Sequence, residues 1–194
     1  MRYALAGMGL FLFFSYATLS SATEPAALSK ATPNLEEACK TVYTDCRANY
    51  TVQFRLKDGS EYKQTFALTY PPVQNDTFVT IFPGESLRLE ATVEGDRITK
   101  LKPATPTADP ARTISLELKQ MDGKAGMMLL MTNPFPQPLK YRAGIHVPDL
   151  DGLRKTSSCS VLAGKSGFES WPYPLFEMVL TDFRLLPDEQ MVCD

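Results

Sequence analysis

The chain has 194 residues, of which 44% are hydrophobic, and a formal charge of −2, which suits one ordinary domain with a substantial core. That near-neutral balance removes the electrostatic case for nucleic acid, whose binders present a strongly basic face. A single histidine, His146, excludes mechanisms that need two imidazoles, and four cysteines without a Cys-x-x-Cys spacing speak against zinc, so no metal or cofactor is expected.

Residues 1–22 carry one early charge at Arg2, an apolar run over 4–14, and Ser20-Ser21-Ala22 with small residues at the minus-3 and minus-1 positions. This is the layout of a secretory signal peptide. The apolar run is shorter than the ~20 residues of a spanning helix, so no stable membrane span is expected after cleavage. Removing residues 1–22 leaves 172 residues and, with Arg2 gone, a charge of −3. Residues 23–33 are mostly Ala, Thr, Ser and Pro, with one acid, one lysine and one leucine, and predict a flexible N-terminus. Residues 34–194 then read as a single domain, with a possible split at the Pro-, Ala- and Thr-rich stretch 103–110.

Asn34 as N-cap with Glu36 and Glu37 in the first turn predicts a short helix. Tyr50, Val52, Phe54 and Leu56 alternate with polar residues up to Asp58-Gly59, a hairpin turn into a strand over 62–68. Further strands are predicted over 77–82, 87–94, 97–102 and 113–119, with turns at Gly95-Asp96 and Asp122-Gly123. Residues 127–131 are apolar at every position, which predicts a strand covered on both faces or a short buried helix, and the following Thr132-Asn133-Pro134 favours strand. Pro134, Pro136 and Pro138 then remove three backbone donors, so that connection leaves any ladder. Leu139, Tyr141, Ala143, Ile145 and Val147 alternate strictly with Lys140, Arg142, Gly144 and His146, the mark of a strand with one buried face. A short strand is expected over 157–162. In the last strand Phe176, Met178 and Leu180 share one parity while Phe183 and Leu185 share the other, which predicts a β-bulge near Thr181-Asp182.

About ten short strands indicate an antiparallel immunoglobulin-like β-sandwich with a short N-terminal helix, with a closed β-barrel as the alternative. Cys39, Cys46, Cys159 and Cys193 form an even set beside an export signal, which favours disulfides. Of three possible pairings the local one, Cys39 with Cys46 and Cys159 with Cys193, is preferred, contributing about 2.5 and about 4 kcal/mol by chain entropy. Within one regular helix Cys39 and Cys46 would sit ~10 Å apart, so either the helix stops near Val42 or the pairing is crossed.

Chemistry-bearing motifs are few. No Gly-x-Ser-x-Gly elbow accompanies His146, which lies on the polar parity of its strand and reads as a surface residue. Gly164-Lys165-Ser166 ends like a phosphate loop, but the glycine needed five residues earlier is Cys159. Asp149 and Asp151 with Gly152 lack the remaining ligands of a calcium loop. Lys140, Arg142, Arg154, Lys155 and Lys165 against Asp149 and Asp151 read as a solvated basic face rather than an anion site. Asn49 and Asn75 each open an Asn-x-Thr acceptor pattern, which matters only in a eukaryotic secretory route. The sharpest signal is Glu169-Ser170-Trp171-Pro172-Tyr173-Pro174, a stiff segment in which Trp171 and Tyr173 form a candidate binding surface, an aromatic platform for a sugar or peptide. The competing reading has Trp171 plugging the end of the sandwich.

The TNPFPQPLKY, KTSSC and WPYP segments and the terminal FRLL resemble uncharacterised exported proteins of Gram-negative bacteria, over roughly the C-terminal half. The resemblance implies a periplasmic location and transfers no activity. A non-catalytic, periplasmic or secreted module that contacts a partner protein or envelope component is therefore expected. The alternative is a carbohydrate-binding module or hydrolase built on Trp171 and Tyr173 with carboxylates such as Glu169 and Glu177. Burial of Trp171 would remove the platform, and two carboxyl groups facing one cleft would revive glycosidase chemistry.

Overall fold

A computed structural model of the chain describes residues 35–194 apart from 42, 44, 68, 149 and 189. The expected signal peptide (1–22), the expected flexible N-terminus (23–33) and the N-cap at Asn34 lie outside the described residues. The alternating stretches form strands: β1 (Tyr50–Arg55), β2 (Glu61–Phe66), β3 (Val73–Gln74), β4 (Phe78–Ile81), β5 (Glu85–Glu94), β6 (Arg97–Pro103), β7 (Thr113–Gln120), β8 (Met127–Thr132), β9 (Leu139–His146), β10 (Arg154–Thr156), β11 (Ser166–Trp171) and β12 (Glu177–Leu185). One helix, α1 (Leu35–Thr41), precedes them. Among the described residues no helix is long and apolar enough to cross a membrane.

Every strand pair is antiparallel. The main path runs β10-β9-β12-β6-β5-β7-β8-β11, with β4 beside β12 and β3 beside β4. Only the Arg184–Arg97 pair joins β12 to β6, so the path divides there into two layers. Their inward faces make one core: Leu139, Tyr141, Met178 and Leu180 from one side meet Leu89, Ile114, Leu116 and Leu129 from the other. The result is an antiparallel sandwich with one short helix and no closed barrel. Because β6 and β7 both flank β5, residues 103–110 are a crossover within one layer. Residues 33–194 form one compact unit.

The bulge falls where the parity change placed it. The β9–β12 register shifts between Thr181 and Arg184, and Asp182 adopts φ 52°. Met178 and Leu180 before the bulge, and Phe183 and Leu185 after it, are all buried. Tyr141 and Phe183 stack at 6.2 Å. In the proline-blocked connection the buried Asn133 replaces the missing ladder: its Nδ2 donates to the carbonyls of Gln137 (2.8 Å), Val161 (2.9 Å) and Leu162 (3.1 Å).

Both disulfides follow the local pairing, with Cα atoms 5.9 Å apart for Cys39–Cys46 and 4.0 Å for Cys159–Cys193. The first is possible because α1 ends at Thr41, before Cys46.

Three expectations are corrected. Met128 and Leu130 are half-buried while Met127, Leu129 and Met131 are buried, so β8 is fully covered on one face only. The strand expected over 157–162 keeps isolated bridges at Cys159 and Val161, and the ladder on β9 is made by β10 instead. The segment expected to be stiff from Glu169 onward begins inside edge strand β11, which pairs residues 166–171 with β8. An edge strand buries little, so its sequence lacks a run of alternating apolar residues; Phe168 is 71% exposed.

The β1–β2 hairpin is a separate two-stranded sheet. Gln120 joins it to the sandwich edge, its Oε1 accepting from Arg55 N at 2.9 Å and its Nε2 donating to Arg55 O at 2.8 Å. Aromatic rings do the rest: Phe54 stacks on Tyr62 at 4.7 Å, and both Tyr62 (6.0 Å) and Phe66 (5.3 Å) meet Phe176 edge-on.

Close backbone approach makes one glycine irreplaceable. A Cβ on Gly126 would lie 2.7 Å from the Trp171 carbonyl oxygen and 2.4 Å from Met121 Cε. Gly126→Ala is expected to lower stability by about 1–3 kcal/mol in urea denaturation, the range for overpacking, with an unchanged m-value.

Candidate functional site

The segment 169–174 divides between core and surface. Trp171 ends β11 at 6% exposure, and its Nε1 donates to Thr156 Oγ1 of β10 at 2.9 Å. The indole thereby ties the two outermost strands of the path and packs into the core. Trp171 is therefore not a platform: a ring without an exposed face offers nothing to a ligand. Tyr173, two residues on, is half-buried, and Lys57 Nζ lies 5.7 Å from its ring centroid.

Tyr173 walls a cavity of about 580 Å³ between the β1–β2 turn, the end of β9 and β10. Leu56, Ile145, Val147 and Leu150 supply apolar walls, and Lys57, Arg154 and Lys155 supply positive charge. All three cations are exposed, and among the described residues no ion pair joins any of them to a carboxylate. Asp58 is the opposing charge on this wall. Hydrogen bonds donated by Ser60 Oγ (2.6 Å) and Ser60 N (2.9 Å) hold its carboxyl below the usual range, so it stays ionised.

Two further cavities continue the same side of the molecule. One of about 390 Å³ shares Leu56, Val147, Pro148 and Leu150 with the first and adds Tyr62, His146 and Phe176. The other, about 190 Å³, shares Phe176 and is walled by Tyr50, Tyr70, Phe82 and Glu177. Beneath it Arg47, with a side chain 7% exposed, donates to Glu85 from Nε (2.5 Å) and Nη2 (2.7 Å) and to Thr80 O at 2.6 Å. Its guanidinium lies 4.8 Å from the Phe82 centroid, so the charge is matched by a bidentate carboxylate and capped by a ring.

His146 is half-buried and not a free surface group: its Nδ1 donates to Glu177 Oε2 at 2.8 Å. Glu169 lies in a separate groove with Tyr141 and Cys159, accepting from Tyr141 OH (3.1 Å) and Cys159 N (2.5 Å). Burial raises its carboxyl above the ordinary value, and burial likewise raises the Tyr141 phenol. Glu169 and Glu177 thus face different cavities, and the carboxylate pair of a glycosidase is not assembled. Among the described residues no three His, Cys, Asp or Glu side chains gather as a metal site.

Lys140 departs from the solvated basic face. It is 1% exposed, donates to Ser158 O and Ser158 Oγ, and pairs with Asp194. The outward face at this end of β9 is covered by residues 158–161 and by the chain around Cys193, which bridges Cys159. Arg142, Arg154, Lys155 and Lys165 remain exposed. Asn49 and Asn75 are exposed turn residues at φ 50° and 45°. Sequence reasoning missed Lys57 as a site residue, because a lysine beside Asp-Gly reads as turn chemistry, and it assigned Arg154 and Lys155 only to solvent. The cluster of aromatics on and around the hairpin, more than one buried face requires, was the available signal.

No family model, characterised relative or solved structure matches the chain.

The hydrogen bond from Lys140 is the main cause holding the Asp194 carboxyl below its ordinary 3.8. The stability this group contributes is complete above that value and is lost as pH falls through the lower folded value. Asp194→Ala is expected to cost about 1–2 kcal/mol at pH 7, reduced by the carboxylate's partial exposure. The same substitution flattens the acid limb of stability measured by denaturation between pH 5 and about 2.

Proposed function

We propose that the chain is a non-catalytic binding module, exported to the periplasm or secreted, that contacts an envelope component or partner protein through the cavity beside Tyr173. One observation carries this reading: a cavity of about 580 Å³ combines apolar walls, one aromatic ring and three cations that form no ion pair among the described residues. Ligand sites have this make-up, with apolar lining and few polar groups to fix orientation. Export draws support from the two disulfides, which persist in oxidising compartments, and from the leader-like composition of residues 1–22. The resemblance of the C-terminal half to exported proteins of Gram-negative bacteria agrees with it. The non-catalytic reading draws on Glu169 and Glu177 lying in different cavities, so that these two carboxylates do not act as one acid–base pair.

The test is recovery of envelope components on immobilised protein, comparing the natural chain with Tyr173→Ala and Arg154→Glu. Arg154 is exposed at the cavity rim, while Tyr173 is half-buried and packs against the core, so the fold of each variant is checked by circular dichroism first. A component retained by the natural chain and lost at least tenfold by both variants is the expected result. Equal recovery by all three forms overturns the reading.

A further inference from the structure

We propose that the ligand is an anionic amphiphile: a single acyl or alkyl chain ending in a carboxylate or phosphate, laid in the groove between the β1–β2 hairpin and the sandwich. This rests on the cavity beside Tyr173 being a binding site, and it names what that site takes.

The first two cavities have Leu56, Val147, Pro148 and Leu150 as common walls, and the second shares Phe176 with the third. Their shared walls set the second between the first and the third, along the hairpin from its turn at Leu56 to Tyr50 and Phe66. Leu150 is 47% exposed and Leu153, next to Arg154, is 48% exposed, so solvent-facing apolar surface borders the cationic rim. An elongated apolar body fits such a row better than a compact one.

Polarity fixes the ends. Lys57, Arg154 and Lys155 border only the first cavity. The far one is lined by Glu177 and by Arg47, whose guanidinium is already taken by Glu85, so among the described residues no unpaired cation draws an acid there. An anion therefore seats at the Tyr173 end with its chain directed toward Phe176. A saccharide fits less well: the residues common to the first two cavities are aliphatic or proline, and two of the nearby hydroxyls are engaged within the protein, Tyr62 with Gln64 and Thr156 with Trp171. A flat lipid surface fits less well too, because Tyr173 and Ile145 lie on the walls of a concavity and not on a protruding face.

Titration calorimetry on the purified protein tests this with hexanoate, octanoate and decanoate below their micelle concentrations. Decyl phosphate, decyltrimethylammonium, glucuronate and inorganic phosphate complete the set. One site per chain is expected, with affinity rising about three- to fourfold per added methylene, as apolar burial requires. The decyl ammonium ion should bind at least tenfold more weakly than decanoate. Comparing decanoate with decyl phosphate tells which acid the rim prefers. Arg154→Glu with Lys155→Glu should weaken both decyl acids at least tenfold, and Leu150→Ser, at a side chain 47% exposed, should flatten the chain-length series.

The proposal is overturned by affinity independent of chain length, by an ammonium ion that binds as well as the acid, or by glucuronate that binds as well as decanoate. Binding to vesicles of phosphatidylcholine and phosphatidylglycerol without binding of the monomeric acids also overturns it, in favour of surface docking. If no amphiphile binds while Tyr173→Ala still abolishes envelope capture, the ligand class is wrong and the site stands. If Tyr173→Ala changes neither capture nor calorimetry, both fall.

Discussion

A single extra residue in β12 decides how the two layers meet. Because side chains alternate with period two, a strand that must keep its apolar set inward while changing direction needs an odd insertion, and the left-handed Asp182 supplies it. Before the bulge β12 lies between β9 and β4; after it, Arg184 faces both Lys140 and Arg97. The Asp182 carboxylate also lies 3.3 Å from Arg142 and 3.7 Å from Arg97. These pairs are largely solvated and contribute little on their own. Their use is positional, since they sit on the strands that flank the bend.

The hairpin side follows a different logic. There the sandwich is extended by rings, and a buried guanidinium gives them a common centre. Taking Arg47 out of water would be costly if Glu85 and the Thr80 carbonyl did not answer it. With those partners in place, the aromatic shell can stay loosely packed enough to leave space beside Phe176 and Tyr70. The groove and the tight pair beneath it are two aspects of one arrangement.

Much of the architecture was legible because one buried face per strand leaves a period in the sequence. Val52 and Phe54, Leu87 to Val93, Ile114 to Leu118 and Leu139 to Ile145 announced their strands, and the parity change at Thr181 announced the bulge. The edges were not legible. β10 and β11 bury little, so Arg154-Lys155-Thr156 reads as loop and Ser166-Gly167-Phe168 as turn. Long-range polar partnerships were equally silent. Lys140 has the parity of a wet residue and is dry only because residues 158–161 and Asp194 close over it. In the candidate site Tyr173 was found through its stiff proline setting, while Trp171 was left between platform and plug: composition marks both rings alike, and only the Thr156 hydrogen bond and the core decide which one faces in.

The Gln120 amide has a kinetic meaning. It answers both polar groups of Arg55 as a neighbouring peptide unit would, so a side chain stands where a strand would otherwise continue the sheet. Side-chain attachments of this kind open more readily than ladders, and a hairpin joined to the sandwich by side chains alone, the Gln120 amide, the rings and the buried Val52, is expected to open below the global unfolding free energy. Hydrogen exchange in β1 and β2 would then report a sub-global event, separate from the exchange of β9 and β12. The frequency with which the space beneath the hairpin meets solvent would be set by that local event and would be largely indifferent to the stability of the sandwich.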